Sequence, residues 1–422
     1  MIKIAIYLGP LVGKSVDARE VVKGNPGVGG TQYCMLELAH YLNQQSHYKV
    51  TIFASRTYVL ERGLEFIKIS GDNTLCETIQ SMRFDILILS QFRNRALEHD
   101  IAKMNCKVVV WSHNYLYSDF CNFINNTSNV KANVFVGKQQ YDRYIDHDVI
   151  KKSTYIYNMF FDNSPHLERH NDSKTVVYMG ALVEGKGFAE LCSIWPDIIK
   201  EVPDAQLLVM GSGALYGDAK MGTYGLADQA YEDKFIKNIT DKDGKLVPSV
   251  HFLGVVGEGK TDLFRKASVG VVNPSGRTET FGMGVVEMAE AKLPVVTIGK
   301  NGYFDTVKNN ETGLLGKNLE EIRHYIVSLL KDTSLNEKLG SCAKENLHNY
   351  FPDKIGPLWD ELILQVYEDC YRPRYLGVSK PFCNNLKWAR VCLRFLRMNI
   401  YLKFLPALID LESFYVRIKN KR

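Results

Sequence analysis

Two glutamates, Glu279 and Glu287, stand with seven residues between them in Asn273-Pro-Ser-Gly-Arg-Thr-Glu-Thr-Phe-Gly-Met-Gly-Val-Val-Glu287. The stretch reads as the exit of a buried strand, a loop rich in Gly, Ser and Thr, and the opening of a helix near Gly282. The amides of Phe281, Gly282 and Met283 are then first-turn donors without intrahelical partners. Added to the helix dipole, they make a site for an anion. Other segments carry groups of matching chemistry. Gly180-Ala-Leu-Val-Glu-Gly-Lys-Gly187 offers Lys186 at a strand end, and Arg277 precedes Glu279 by two residues. Trp111-Ser-His-Asn114 places His113 at the C-terminal end of another strand, where open α/β sheets hold their ligands. Gly27-Val-Gly-Gly-Thr-Gln32 puts Gly29 and Gly30 before a first helix, so that backbone and ligand can approach closely.

Strand and helix patterns alternate through most of the chain. Strands are predicted at Ile2–Leu8, Lys49–Ala54, Glu65–Ile69, Asp85–Leu89, Lys107–Trp111 and Asn133–Val136. A second series follows at Thr175–Met179, Gln206–Met210, Val250–Leu253, Val269–Val272 and Val295–Ile298. Helical patterns such as Thr31–Asn43 separate them. This alternation implies α/β architecture with two doubly wound parallel sheets, joined through Ile156–Asp172, and a ligand cleft between the domains. At 422 residues the chain is too long for one core.

The context of Glu279 and Glu287 resembles the signature of the family 4 retaining glycosyltransferases of GT-B fold, the "glycosyl transferases group 1" of bacterial polysaccharide and lipopolysaccharide synthesis. The resemblance covers roughly residues 2–371. It implies an acceptor domain at 1–160, a nucleotide-sugar domain at 173–350 and a crossover helix at 351–372; beyond its reach the residues themselves read as a basic amphipathic tail at 373–422. It implies that Glu287 binds the donor ribose and that Glu279 lies beside the donor sugar. The amides of Phe281, Gly282 and Met283 would hold sugar hydroxyls and the diphosphate. Lys186 would neutralise the leaving diphosphate, and His113 would contact the sugar near the reacting carbon. Gly29 and Gly30 are similar to the family's N-terminal Gly-Gly loop. The glycine-rich turns Met210–Gly213 and Leu253–Gly257 would cup the nucleobase. The family commonly carries an Arg directly after the first glycine of the Lys186 segment. Here that position is Ala181, and Arg277 is the favoured substitute. The implied reaction moves a hexosyl group from a nucleotide sugar to a hydroxyl of a saccharide or lipid-linked acceptor, with retention, through an oxocarbenium-like state. No cofactor is expected. Metal is not expected either, because no Asp-x-Asp stands beside a strand as in the GT-A transferases.

Two other classes fit less well. A Rossmann-type oxidoreductase or epimerase would need Gly-x-Gly-x-x-Gly in the first short turn, and the chain lacks it there. A catalytically impaired sugar-nucleotide-binding protein fits the alanine at 181.

Nine cysteines without a Cys-x-x-Cys pair point to reduced thiols and a cytoplasmic location. The net charge of +5 is uneven, since residues 373–422 carry eleven Lys and Arg against Asp410 and Glu412. Within 385–405, Lys387, Arg390, Arg394 and Arg397 recur at three- and four-residue steps, one face of a helix. That pattern predicts a cationic face turned to anionic headgroups, peripheral on the inner face of the plasma membrane, the alternative being a helix packed on the protein with its basic stripe solvated. Nucleic acid is not an expected partner, because no recognised binding fold accompanies the charge.

Overall fold

The computed structural model describes residues 1–163, 169, 173–214, 220–257 and 259–419. The chain divides into two compact units, residues 1–161 with 350–422, and residues 162–349. Part of the expected connection Ile156–Asp172 lies outside the described residues.

In the first unit the strands of the main sheet are β1 (Ile2–Tyr7), β2 (Tyr48–Ala54), β3 (Glu65–Lys68), β4 (Ile86–Ser90), β5 (Lys107–Ser112), β6 (Val130–Phe135) and β7 (Ser153–Tyr155). They pair in parallel in the order β3-β2-β1-β4-β5-β6-β7. In register, Ile4 faces both Val50 and Ile86. The central strands are near-continuous apolar runs because helices cover both faces. Those helices include α1 (Gly30–Asn43), α2 (Asp72–Met82), α3 (Arg95–Lys103), α4 (Ser118–Asn126) and the short α5 (Lys138–Asp142).

The second unit repeats the plan. Strands β8 (Thr175–Met179), β9 (Gln206–Met210), β10 (Val250–Gly254), β11 (Val269–Val271), β12 (Val295–Ile298) and β13 (Gly313–Gly316) pair in parallel in the order β10-β9-β8-β11-β12-β13. Its helices are α6 (Phe188–Glu201), α7 (Gln229–Phe235), α8 (Lys260–Lys266), α9 (Met283–Glu290), α10 (Tyr303–Thr306), α11 (Leu319–Lys331) and α12 (Thr333–Asn346). The expected two-sheet α/β architecture is therefore present. Strand order reverses beside β1 in the first unit and beside β8 in the second. Loops leaving the two strands at such a reversal diverge to opposite faces and open a crevice at the strands' C-terminal ends. Sequence reading did not identify β7 or β13; both are short, and β13 is two leucines between glycines.

The chain then returns to the first unit through α13 (Pro352–Tyr367). Trp359 packs edge-on to Trp111 at 4.7 Å, and the Tyr41 hydroxyl of α1 donates to Asp360 at 2.6 Å. The tail forms α14 (Lys387–Met398) and α15 (Leu408–Lys419). Ala407 and Ile409 join the same core cluster as Phe120 and Tyr144.

The tail corrects one expectation. The basic stripe of α14 faces the protein, not solvent. Lys387 Nζ sits 2.8 Å from Asp142, and Arg390 bridges Glu412 at 2.5 Å and Asp146 at 3.5 Å. Arg394 donates to the Ile145 carbonyl at 2.8 Å and stacks on the Tyr375 ring, and Arg397 lies 3.6 Å from Asp148. Lys387 and Arg390 are both 0% exposed. Carboxylates gathered around α5 outcompete solvent for these cations, because a buried charge must be paired.

Candidate functional site

In the second unit the loops after β8 and β11 meet, and two glycines allow it. Gly187 has φ +72°, and a Cβ there would come within 2.6 Å of the Ser275 amide nitrogen, so only glycine fits without displacement. The Ser275 and Thr278 hydroxyls both donate to the Gly185 carbonyl, at 3.4 and 3.1 Å. Tyr178 fixes the same turn by donating to the Lys186 carbonyl at 2.8 Å. These contacts carry Lys186 Nζ to 3.1 Å from Glu279 Oε2. The Tyr303 hydroxyl reaches the same oxygen at 3.5 Å.

Helix α9 opens at the second glycine. Gly282 has φ +98° and no side-chain cap; an added Cβ would strike the Tyr303 ring at 2.9 Å. Phe281 and Gly282 thus lead directly into the first turn at Met283, with Glu279 before the helix and Glu287 in its second turn. Glu287 pairs with Lys260 Nζ at 3.0 Å, both side chains mostly buried. Sequence reasoning missed Lys260. The available signal was its place after Gly257 and Gly259, at the opening of α8.

Arg277 is already engaged, its guanidinium bonded to Glu190 and 3.6 Å from Glu184. Ala181 is buried and supplies no charge. The glycine turns after β9 and β10 bond to one another, Gly211 amide to Gly254 carbonyl at 2.8 Å. Among the described residues no group of three or more His, Cys, Asp or Glu is placed to share a metal ion.

Gly29, Gly30 and His113 belong to the first unit. The Asn25 side chain organises the loop before Gly29, accepting from the Gly27 and Val28 amides at 3.0 and 2.8 Å. Gln32 ties that loop to the end of β1 by donating to the Leu8 carbonyl at 3.2 Å. The His113 amide donates to Gln91 Oε1 at 2.9 Å, and its ring stands 4.4 Å from that of Trp111. Since Trp111 rests on Trp359, helix α13 props the histidine from behind. Beside it, between the ends of β4 and β5, lies a cavity of 1110 Å³ whose lining includes Arg93, Tyr115, Tyr117 and, from α15, Arg417. Neither the cavity nor its α15 wall was visible in the sequence.

Burial pushes the His113 imidazole down from 6.5 to about 3, so it is neutral at physiological pH. The linkage follows in sign. Between those values the unfolded chain binds a proton that the folded state refuses, so this contribution to stability is complete above pH 6.5 and is lost as pH falls. The slope approaches ~1.4 kcal/mol per pH unit. His113→Gln is expected to flatten it in urea unfolding measured across that range. An unchanged slope would mean that the ring is not desolvated.

Residues 160–346 match the family described as Glycosyl transferases group 1. The chain is 27% identical over 194 residues to the capsular polysaccharide biosynthesis glycosyltransferase CapM of Staphylococcus aureus, covering 46% of this chain and 45% of that protein. It is 30% identical over 203 residues to the phosphatidyl-myo-inositol mannosyltransferase of Mycobacterium tuberculosis (strain ATCC 25618 / H37Rv), covering 46% and 47%. The chain thus spans about half the length of the curated relatives it matches. Among solved structures, HepE of Anabaena in complex with UDP superposes with a TM-score of 0.64 at 16% identity, covering 86% of this chain and 100% of that one. That likeness shows the GT-B fold.

Proposed function

We propose, from the premise that residues 160–346 belong to the glycosyl transferases group 1 family, that this chain is a retaining glycosyltransferase drawing a hexosyl group from a nucleotide-sugar donor. The observation that carries the reading is the Lys186–Glu279 pair at 3.1 Å beside the opening of α9, with Glu287 in the same helix. Glu287 receives the ribose hydroxyls. Lys186 turns from Glu279 to the diphosphate, joined by the amides that open α9, and stabilises the charge that develops on the leaving group. Glu279, released from Lys186, lies beside the sugar. His113, neutral through burial, bonds a sugar hydroxyl without adding charge. The acceptor is a saccharide, free or lipid-linked, received in the cavity walled by Tyr117 and Arg417. HepE's complex with UDP makes uridine diphosphate sugars the first donors to try. CapM and the mannosyltransferase suggest cell-surface polysaccharide or glycolipid synthesis. A lipid-linked acceptor would put the chain at the cytoplasmic face of the plasma membrane.

A panel of nucleotide sugars screened by thermal shift, then by donor consumption, tests this. One donor is expected to stabilise the protein and be consumed, and the anomeric proton of the product is expected to keep the donor's configuration. No stabilisation by any donor overturns the reading. Stabilisation without consumption favours the second reading, a sugar-nucleotide-binding protein disabled by Ala181, which the engagement of Arg277 by Glu190 supports.

A further inference from the structure

With its cations turned inward, α14 presents the opposite face to solvent, and that face is apolar. Trp388, Phe395 and Leu396 fall on one side of the helix, and Ile400, Tyr401 and Phe404 continue the surface through the turn that follows. Phe395 is 76% and Tyr401 84% exposed. Scattered exposed apolar residues need no explanation, but a contiguous group of aromatic and aliphatic side chains marks an interaction surface.

Charge decides what the surface meets. Both carboxylates of the tail are used internally. Asp410 accepts from the Ala407 amide at 2.8 Å and from the Ser118 hydroxyl, and Glu412 accepts from Arg390 and Arg143. The exposed charged residues of the described tail, Arg374, Lys380, Lys403, Arg417 and Lys419, are all cations. A second copy of the chain would set these cations against their like. An anionic lipid surface complements them, and Trp and Tyr suit the boundary between headgroups and acyl chains. No helix among the described residues is long and apolar enough to cross a membrane, so the helix would lie in the interface, not span it.

We propose that the outward face of α14 and its following turn docks the protein on a lipid bilayer by inserting its aromatic side chains, while the basic stripe anchors the tail to the first unit. The inference rests on the membrane-side location proposed above and deepens it; it does not depend on the donor.

Trp388 is a built-in reporter, since Trp111, Trp195 and Trp359 are each 1% exposed. The full chain, mixed with vesicles of phosphatidylglycerol and phosphatidylcholine, is expected to sediment with them, to shift its tryptophan emission to the blue, and to stay largely bound at high salt. Phe395→Ser combined with Tyr401→Ser is expected to cut vesicle partitioning by roughly tenfold or more, as loss of two buried rings implies, with an unchanged melting temperature. Wild-type binding by that variant, or release of the wild-type protein by salt alone, overturns the assignment of the face. A dimer in sedimentation velocity that the same variant dissociates overturns it in favour of a second copy. If the wild-type protein binds no vesicles, the membrane location fails with it, while donor consumption still judges the glycosyl-transfer reading separately.

Discussion

Glu287→Ala is expected to weaken binding of the nucleotide by about 10- to 150-fold in a calorimetric titration. The figure follows from losing a charge-assisted hydrogen bond to a ribose hydroxyl, worth roughly 1.5–3 kcal/mol. The structure adds a complication. Glu287 also neutralises Lys260 at 3.0 Å, both side chains mostly out of solvent, so truncation leaves a cation without its partner. Some of the loss could then come from a disturbed α8, not from the ribose. Glu287→Ala combined with Lys260→Met separates the two, because the double variant leaves no cation without a partner. Lys260→Ala alone is expected to cost less affinity than Glu287→Ala, since the proposed ribose contact is made by Glu287, with Lys260 only paired to it. Wild-type affinity in both Glu287 variants, with unchanged melting temperatures, would place the nucleotide elsewhere.

The sequence made Glu287 and its loop legible for a local reason. A buried strand, a glycine-bearing loop and a helix start are encoded within about 25 consecutive residues, and the glycines mark where backbones must touch. Gly187 and Gly282 are such places. Lys260 was not legible because its pairing with Glu287 joins separate βα units of the sheet. Lys186 could be singled out, but not its contact with Glu279, for the same reason. The short strands β7 and β13 escaped because three or four residues carry no readable period.

The tail shows a deeper limit. A helix with cations on one side and apolar residues on the other has the same pattern whether the cations meet lipid headgroups or carboxylates. What decides is Asp142, Asp146 and Asp148, far earlier in the chain. Their own spacing was a faint signal, for acids crowded beside buried Tyr141, Tyr144 and Ile145 need partners. Nothing in the order of residues says that the partners come from α14.

That arrangement predicts a large and unequal pattern of stability losses. Asp142 is 0% exposed and accepts from the Ser379 amide and hydroxyl at 3.0 and 2.6 Å while facing both Lys387 and Lys138. Asp142→Ala strands two buried ammonium groups at once and is expected to cost about 3–5 kcal/mol in urea unfolding, with the tail becoming sensitive to protease. Lys387→Met is expected to cost less, because Asp142 keeps Lys138 and Ser379. Lys387→Met combined with Asp142→Leu is expected to recover part of the loss, since it removes one of the two ammonium groups that Asp142→Ala strands, while Lys138 stays without its carboxylate. If the basic stripe faced headgroups, the order would invert: Lys387→Met would release the protein from anionic vesicles and leave its stability unchanged, and Asp142→Ala would do little to either. A loss below ~0.5 kcal/mol for Asp142→Ala, the range of ordinary surface substitutions, would show that the pair is solvated and the tail undocked.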